Sequence, residues 1–260
     1  MTRQEFSDMF DTLLNSYASQ AQFGEQAAHS EIVLDEYEKS VLLTQAQDIV
    51  VKSFFDRKLN QAGEGFDDSI RRQVDFSSLI TSKELEASSD QTSKFDDRGI
   101  LYDMPERTEG VTDVLFILNE KLETTIGNGN NAIKKVYVVV PINYKEYDRE
   151  MSKPYAQPLK KQAWRLFQNP STGFDFVSEL IPRWNLTTEE NISKYKIRYV
   201  RRPVPIVLTN LPDGLSVDGE SNASDCELNP ILHPEILQKA IELAAATRGI
   251  APRQTQRTEQ

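Results

Sequence analysis

Apolar residues recur at three- and four-residue steps over the first seventeen positions, as Phe6, Met9, Phe10, Leu13, Leu14 and Tyr17. This period predicts an amphipathic helix from Thr2 to about Ala18, with Thr2 and Glu5 at capping-box spacing. A second helical period follows Ser30. It sets Leu34, Tyr37, Val41, Leu42, Ala46, Ile49, Val50 and Phe54 on one broad face, with Glu36, Glu38, Lys39 and Asp48 elsewhere. That helix is expected to run to about Leu59, on the order of 40 Å at 1.5 Å per residue. Phe66 to Ile80 reads as a third, short helix with Ile70, Val74 and Phe76 inward. The polar, Ser-rich stretch Thr81 to Gly99 reads as a surface loop or linker.

From Ile100 the period shortens towards two. Ile100 to Met104, Val114 to Thr125 and Lys134 to Ile142 read as strands, and the Asn-Gly-Asn content of Ile126 to Ala132 favours a hairpin reversal between the last two. The run VYVVV (Val136 to Val140) is apolar at both parities, which predicts a central strand covered on both faces. Tyr144 to Met151 reads as a short helix, and an amphipathic stretch bearing Trp164, Leu166 and Phe167 follows. Phe174 to Ile181 is a further strand or short helix. Lys194 to Leu208 is strand-like, and Pro203 with Pro205 assigns it to a sheet edge. A loop rich in Asp, Gly, Ser and Asn (Asn210 to Asp225) leads to a Pro-initiated helix ending near Ala244.

These elements predict an α+β chain. A helical N-terminal part spans 1–80, a polar loop or linker 81–99, and a β-rich domain 100–230, built as an antiparallel sheet or sandwich. A C-terminal helix, 231–248, packs on that domain or on a neighbour, and 249–260 form a tail.

Charge changes the picture. The chain carries 30 basic and 40 acidic residues, a balance that argues against general affinity for nucleic acid or anionic membrane. The distribution is uneven: 12 basic and 25 acidic over residues 1–125, 14 and 7 over 131–205, and 4 and 8 from Ile206 onward. A basic middle between acidic ends suits copies that meet head to tail, or segments that fold against each other within one chain.

Candidate chemistry is sparse. Single Cys226 excludes an internal disulfide framework, so the fold suits a reducing cytoplasm or is indifferent to redox state, and its neighbours Asp225 and Glu227 would raise the thiol pKa. His29 and His233 have no accompanying nucleophile, and one Cys with two distant His cannot fill a zinc site. GNGNN lacks the helix and lysine of a phosphate loop. The acidic pairs Asp67/Asp68 and Asp96/Asp97 lie in polar stretches, where carboxylates are usually solvated. The expectation is no catalytic residue, no cofactor and no metal. No run approaches the ~20 apolar residues of a membrane span, and the acidic N-terminus lacks a signal-peptide core, so a soluble chain is expected.

The best binding candidate is the basic, aromatic set Tyr195, Lys196, Arg198, Tyr199, Arg201 and Arg202, with Lys160, Lys161 and Arg165 nearby. As a strand it places Lys196, Arg198 and Val200 on one face and Tyr195, Ile197, Tyr199 and Arg201 on the other. Tyr and Arg are enriched at protein interface centres, and on an acidic molecule a protein partner is favoured over nucleic acid. Interface candidates are Tyr195, Arg198, Tyr199, Arg201, Arg202 and, on the last helix, Ile236, Leu237 and Ala240.

Several stretches resemble virion proteins of crAss-like tailed bacteriophages. They are LDEYEKSVLLTQAQ (Leu34 to Gln47), GFDDSIRRQVDFSSLI (Gly65 to Ile80), VVPINYKEYDREMSKPYAQPLKKQAWRL (Val139 to Leu166), YKIRYVRRPVPIVLTNL (Tyr195 to Leu211) and GLSVDGESNASDCELNPILHPEILQKAIELA (Gly214 to Ala244). The resemblance implies a ring-forming neck or tail connector, made in the host cytoplasm and residing in the virion. It also implies a homo-oligomeric, twelvefold ring whose partners are the portal and other ring or tail proteins. Genomic DNA would pass through the lumen without sequence-specific binding. The alternatives are a DNA-associated cargo protein using Arg198, Arg201, Arg202 and Lys160 on phosphates, and a host-surface binding module.

Overall fold

The structure, a computed structural model, describes residues 1–20, 33–55, 74–89, 91–92, 94–108, 111–126, 133–153, 157–168, 177–183 and 191–248. Its helices are α1 (Arg3–Gln20), α2 (Glu36–Phe55), α3 (Tyr144–Met151) and α4 (His233–Thr247). Its strands are β1 (Ile80–Glu86), β2 (Ile100–Asp103), β3 (Glu106–Thr108), β4 (Val111–Thr112), β5 (Val114–Ile126), β6 (Ile133–Pro141), β7 (Gln162–Gln168), β8 (Val177–Pro182) and β9 (Asn191–Arg201). The chain folds as two compact units. One joins Met1–Leu79 to Pro203–Gln260, and the other is Ile80–Arg202.

In the helical unit, α1 begins as its sequence dictates. Thr2 N donates to Glu5 Oε2 at 2.8 Å and Glu5 N to Thr2 Oγ1 at 3.3 Å, satisfying two donors that a helix start leaves open. Phe6, Phe10 and Leu14 are buried. Helix α2 is capped reciprocally by Asp35 and Glu38, with Glu38 N on Asp35 Oδ1 at 2.7 Å. Ser30, and the expected extension to Leu59, lie outside the described residues, as do 56–73, including most of the third helix expected over Phe66 to Ile80. Its described end is helical at 74–75 and closes in a 3-10 turn at Ser77–Leu79, with Phe76 buried and Val74 exposed.

The buried face of α2 differs from the one its apolar residues predict. Lys39, Ser40, Leu43, Thr44, Ala46, Gln47, Val50 and Val51 are buried, while Tyr37, Val41 and Leu42 are only half-buried. The cause is the segment after β9, which runs extended along α2. Ser40 Oγ accepts from Leu208 N at 3.0 Å. Thr44 Oγ1 accepts from Ile206 N at 3.1 Å, and Gln47 Nε2 donates to Val204 O at 2.8 Å. Alternate residues face the other way, where Val207 and Ser224 exchange backbone hydrogen bonds at 3.2 and 2.9 Å. The expected strand to Leu208 therefore stops at Arg201. Pro203 and Pro205, which lack ladder donors, lie where the chain has left the sheet. Residues 203–230, grouped above with the β-rich domain, pack with the helices.

The loop that follows turns at Val217-Asp218-Gly219-Glu220. Asp218 and Gly219 both hold positive φ, 48° and 85°, as a primed hairpin turn requires. A 3-10 turn at Pro230–Leu232 leads into α4, which buries Ile236, Leu237, Ala240, Ile241, Ala244 and Ala245.

The second unit is one seven-stranded sheet in the order β1-β9-β5-β6-β7-β8-β2, with a separate β3-β4 pair. The α+β class holds, but the sheet is neither purely antiparallel nor a sandwich: β6 and β7 pair in parallel. Helix α3 makes the crossover that a parallel pair needs. It starts at a complete capping box, Asn143 with Glu146. The sheet curls on itself, so that Tyr102 on the β2 edge lies 5.4 Å, centroid to centroid, from Tyr195 on β9. Leu85, Ile100, Leu122, Tyr137, Val139, Leu180, Ile197 and Tyr199 fill the enclosed core.

Three further expectations change. Residues 80–86, expected as the end of a helix and the start of a linker, form strand β1, paired with β9 from Ile80↔Val200 to Glu86↔Lys194. Their polarity reflects an edge position, where Glu84 faces Lys194 and Lys196 at 2.6 and 3.2 Å. Strand β9, expected at an edge, lies between β1 and β5. The stretch around Trp164 is strand β7, and Phe174 to Ile181 resolves as strand β8 from Val177 onward. Residues 127–132 of the expected reversal lie outside the described residues, but Ile126 and Ile133 on either side of it pair antiparallel.

Candidate functional site

Strand β9 alternates as predicted from Tyr195 to Tyr199, but Val200, expected on the face of Lys196 and Arg198, is fully buried. Tyr195, Ile197 and Tyr199 point into the curled core, whereas Lys196 and Arg198 lie on the outer face. Tyr195 donates to Glu120 Oε2 at 2.5 Å, and Arg165 Nε lies 3.0 Å from the same oxygen. Burial pushes the Glu120 carboxyl up, against the pull of Arg165. Tyr199 donates to Asp113 Oδ2 at 3.2 Å, and burial pushes its hydroxyl up to about 12. Both tyrosines are thus held inside the unit.

The predicted basic cluster divides in the same way. Arg198 is exposed, with Nε 3.3 Å from Ser82 Oγ. Arg201 and Arg202 are half-buried at the end of β9, where Arg202 N donates to Asp113 O at 2.9 Å. Lys160 and Lys161 are exposed. Arg165 is buried between Glu120 and the Phe167 ring, 4.1 Å from the ring centroid, and so leaves that surface. Ile236, Leu237 and Ala240 form core of the helical unit.

Two groups of apolar side chains that the pattern had assigned to the interior lie open instead. In the helical unit, Met9 and Leu13 of α1 border a groove against α4 of about 720 Å³, floored by Leu237 and Ile241. In the sheet unit, Val136 and Val138 of β6 stand on the outer face beside Lys121 and Glu123 of β5. The sequence carried a signal for each. The α1 stripe is wider than one buried face needs, and VYVVV is apolar at both parities. A third patch joins exposed Phe95 and Tyr144, with ring centroids 5.9 Å apart, and Tyr144 donates to Phe167 O.

The loop carrying Phe95 is fixed by a buried carboxylate. Glu179 accepts from Asp96 N at 2.9 Å, from Phe95 N at 3.1 Å and from Gln168 Nε2. Burial pushes the Glu179 carboxyl above its ordinary range despite these donors. Burial also acts to raise Asp96, but hydrogen bonds from Arg98 and Tyr147 hold that carboxyl down at about 2. These groups are engaged in holding the fold.

Among the described residues, no group of three or more His, Cys, Asp or Glu side chains is placed to hold a metal, and no helix is long and apolar enough to cross a membrane. Cys226 donates to Gln47 Oε1 at 3.4 Å, and burial pushes its thiol up to about 11. The carboxylates of Glu120, Glu179 and Asp96 are tied into the fold, while several aliphatic and aromatic side chains stand open on the surface.

The chain belongs to the phage tail ring protein 3/4 family, which it matches over residues 1–256. It is 43% identical over 251 residues to ring protein 4/5 of Bacteroides phage crAss001, covering 95% of this chain and 93% of that one. It is also 32% identical over 251 residues to ring protein 3 of the same phage, covering 95% and 96%. The family is a structural one of the phage tail.

Proposed function

We propose that this chain forms a closed homo-oligomeric ring in the portal–tail region of a tailed phage virion, giving the genome a conduit. The observation that carries this reading is the family match across residues 1–256, with relatives that are ring proteins by name. Exposed Val136 and Val138 on the sheet unit and Met9 and Leu13 on the helical unit support it, because two different open apolar surfaces offer the unlike contacts that a heterologous ring interface needs. A heterologous contact repeated around an axis closes a ring. Twelvefold symmetry would match the ring to a portal, and the portal and other ring or tail proteins are its axial partners. DNA passes the lumen without base readout. Arg198, Arg201 and Arg202, at or near the surface of the sheet unit, are proposed as contacts to neighbouring subunits. Tyr195, Tyr199, Ile236, Leu237 and Ala240 support such contacts from beneath.

Electron cryo-microscopy of the intact virion tests the reading. Density fitting this chain is expected in a ring between portal and tail. A virion in which the chain lies within the capsid or on tail fibres contradicts it.

A further inference from the structure

The two open apolar surfaces differ in electrostatic setting. The unit holding the α1/α4 groove carries 11 basic and 22 acidic residues, whereas the sheet unit carries 19 and 18. At the groove, Met9 and Leu13 are 39% and 41% exposed, Glu242 belongs to the lining and pairs with Lys239 of its own helix at 2.8 Å, and exposed Glu5 sits one turn before Met9. On the sheet, Val136 and Val138 are 50% and 58% exposed. They are flanked by Lys134, two residues before Val136 on the same side, and by Lys121, the cross-strand partner of Val138. Neither lysine makes an ion pair among the described residues, whereas Lys194 and Lys196 on the same face are held by Glu84 and Glu123.

We infer that the α1/α4 groove of one copy takes the Val136/Val138 ridge of β6 from the next copy, with Lys121 and Lys134 drawn to Glu5 and to the net acidic charge of the helical unit. Valines two apart on one strand project side by side, about 7 Å apart at 3.4 Å per residue, as a ridge that fits a groove between two helices. The apolar parts are of the same kind on both sides, and the charges are opposite, which fixes register and excludes groove-to-groove pairing. The contact is heterologous, so each copy has one free groove and one free ridge until the ring closes. This assignment rests on the ring reading and names its subunit contact.

Two substitutions at exposed positions test it, Leu13→Glu in the groove and Val138→Glu on the ridge. Each is checked first for a native circular dichroism spectrum and melting profile. Light scattering is expected to find each variant alone at the 29.6 kDa chain mass. An equimolar mixture is expected to approach twice that mass, because an intact ridge on one variant meets an intact groove on the other. Variants that assemble as the native chain does, or a mixture that stays at the single-chain mass, overturn the contact while leaving the ring itself standing. A native chain that never assembles overturns both.

Discussion

Thr44 Oγ1 lies between the backbone N–H and C=O of Ile206, accepting from the nitrogen at 3.1 Å and donating to the oxygen at 3.3 Å. One hydroxyl on a helix thereby does for a buried extended segment what a neighbouring strand would do. Ser40 and Gln47, one turn to either side, each make one such bond: Ser40 accepts from Leu208 N and Gln47 donates to Val204 O. Replacing Thr44 with Val keeps the shape but leaves a buried donor and acceptor unmatched, which costs roughly 1–3 kcal/mol. Urea unfolding of Thr44→Val should show a lower midpoint by that amount. An unchanged midpoint would mean that the hydroxyl is not what holds this segment.

Gly99 is the second tight point. A Cβ there would sit 1.9 Å from Glu179 Oε1, the oxygen that accepts from Asp96 N. Gly99→Ala must push the carboxylate aside and free the 95–96 loop. The expected loss is about 1–3 kcal/mol, the usual range for overpacking. Thermal unfolding measures it, and a variant as stable as the native chain would show that Glu179 can move without cost.

Lys39 is almost fully buried, with Asp11 and Glu36 at 2.7 and 3.1 Å. Burial opposes its charge, but the bonds to these two acids outweigh it. The two sides of this cluster should respond differently. Lys39→Met removes the buried charge and is expected to stay within about 1 kcal/mol of native stability, whereas the Asp11→Asn, Glu36→Gln pair strands the ammonium and is expected to cost about 3 kcal/mol or more. Equal losses from both changes, by chemical unfolding, would contradict this account.

His233 gives the helical unit a pH dependence. Its Nε2 bonds Leu228 O at 3.1 Å, and Nδ1 faces the Met1 amine at 2.9 Å, which assigns the proton to Nε2. Burial holds the imidazole below its ordinary value of 6.5. A depressed pKa means that the unfolded chain binds the proton first. The contribution is complete above pH 6.5 and is lost as the pH falls through the lowered native value. Melting temperature should therefore drop between pH 7.5 and 5, with a smaller drop in His233→Gln. Parallel drops in the two proteins would exclude this imidazole as the cause.

What the sequence made legible follows from where the determining contacts lie. Helix α1 begins where Thr2 and Glu5 predict, because a cap is written within four residues, and α3 keeps the bounds expected for it, with an Asn143/Glu146 capping box that the structure adds. The buried face of α2 was not legible, since Ser40, Thr44 and Gln47 become core residues only through a backbone segment more than 150 residues away. Strand β1 has only Ile80 and Leu85 as apolar residues and pairs on one side, so its pattern matches a loop. The alternation of β9 separated Tyr195, Ile197 and Tyr199 from Lys196 and Arg198, but it showed neither that the tyrosine face turns inward nor that Val200 is buried. The double-parity valines of β6 predicted cover on both faces, and the chain itself covers one.

The central claim is that copies of this chain close into a ring. Light scattering of the purified native protein over a wide concentration range tests it most directly. The account predicts one dominant species at a fixed multiple of 29.6 kDa, with no larger polymers as concentration rises. A chain that remains a monomer throughout, alone and in the presence of portal, would contradict it.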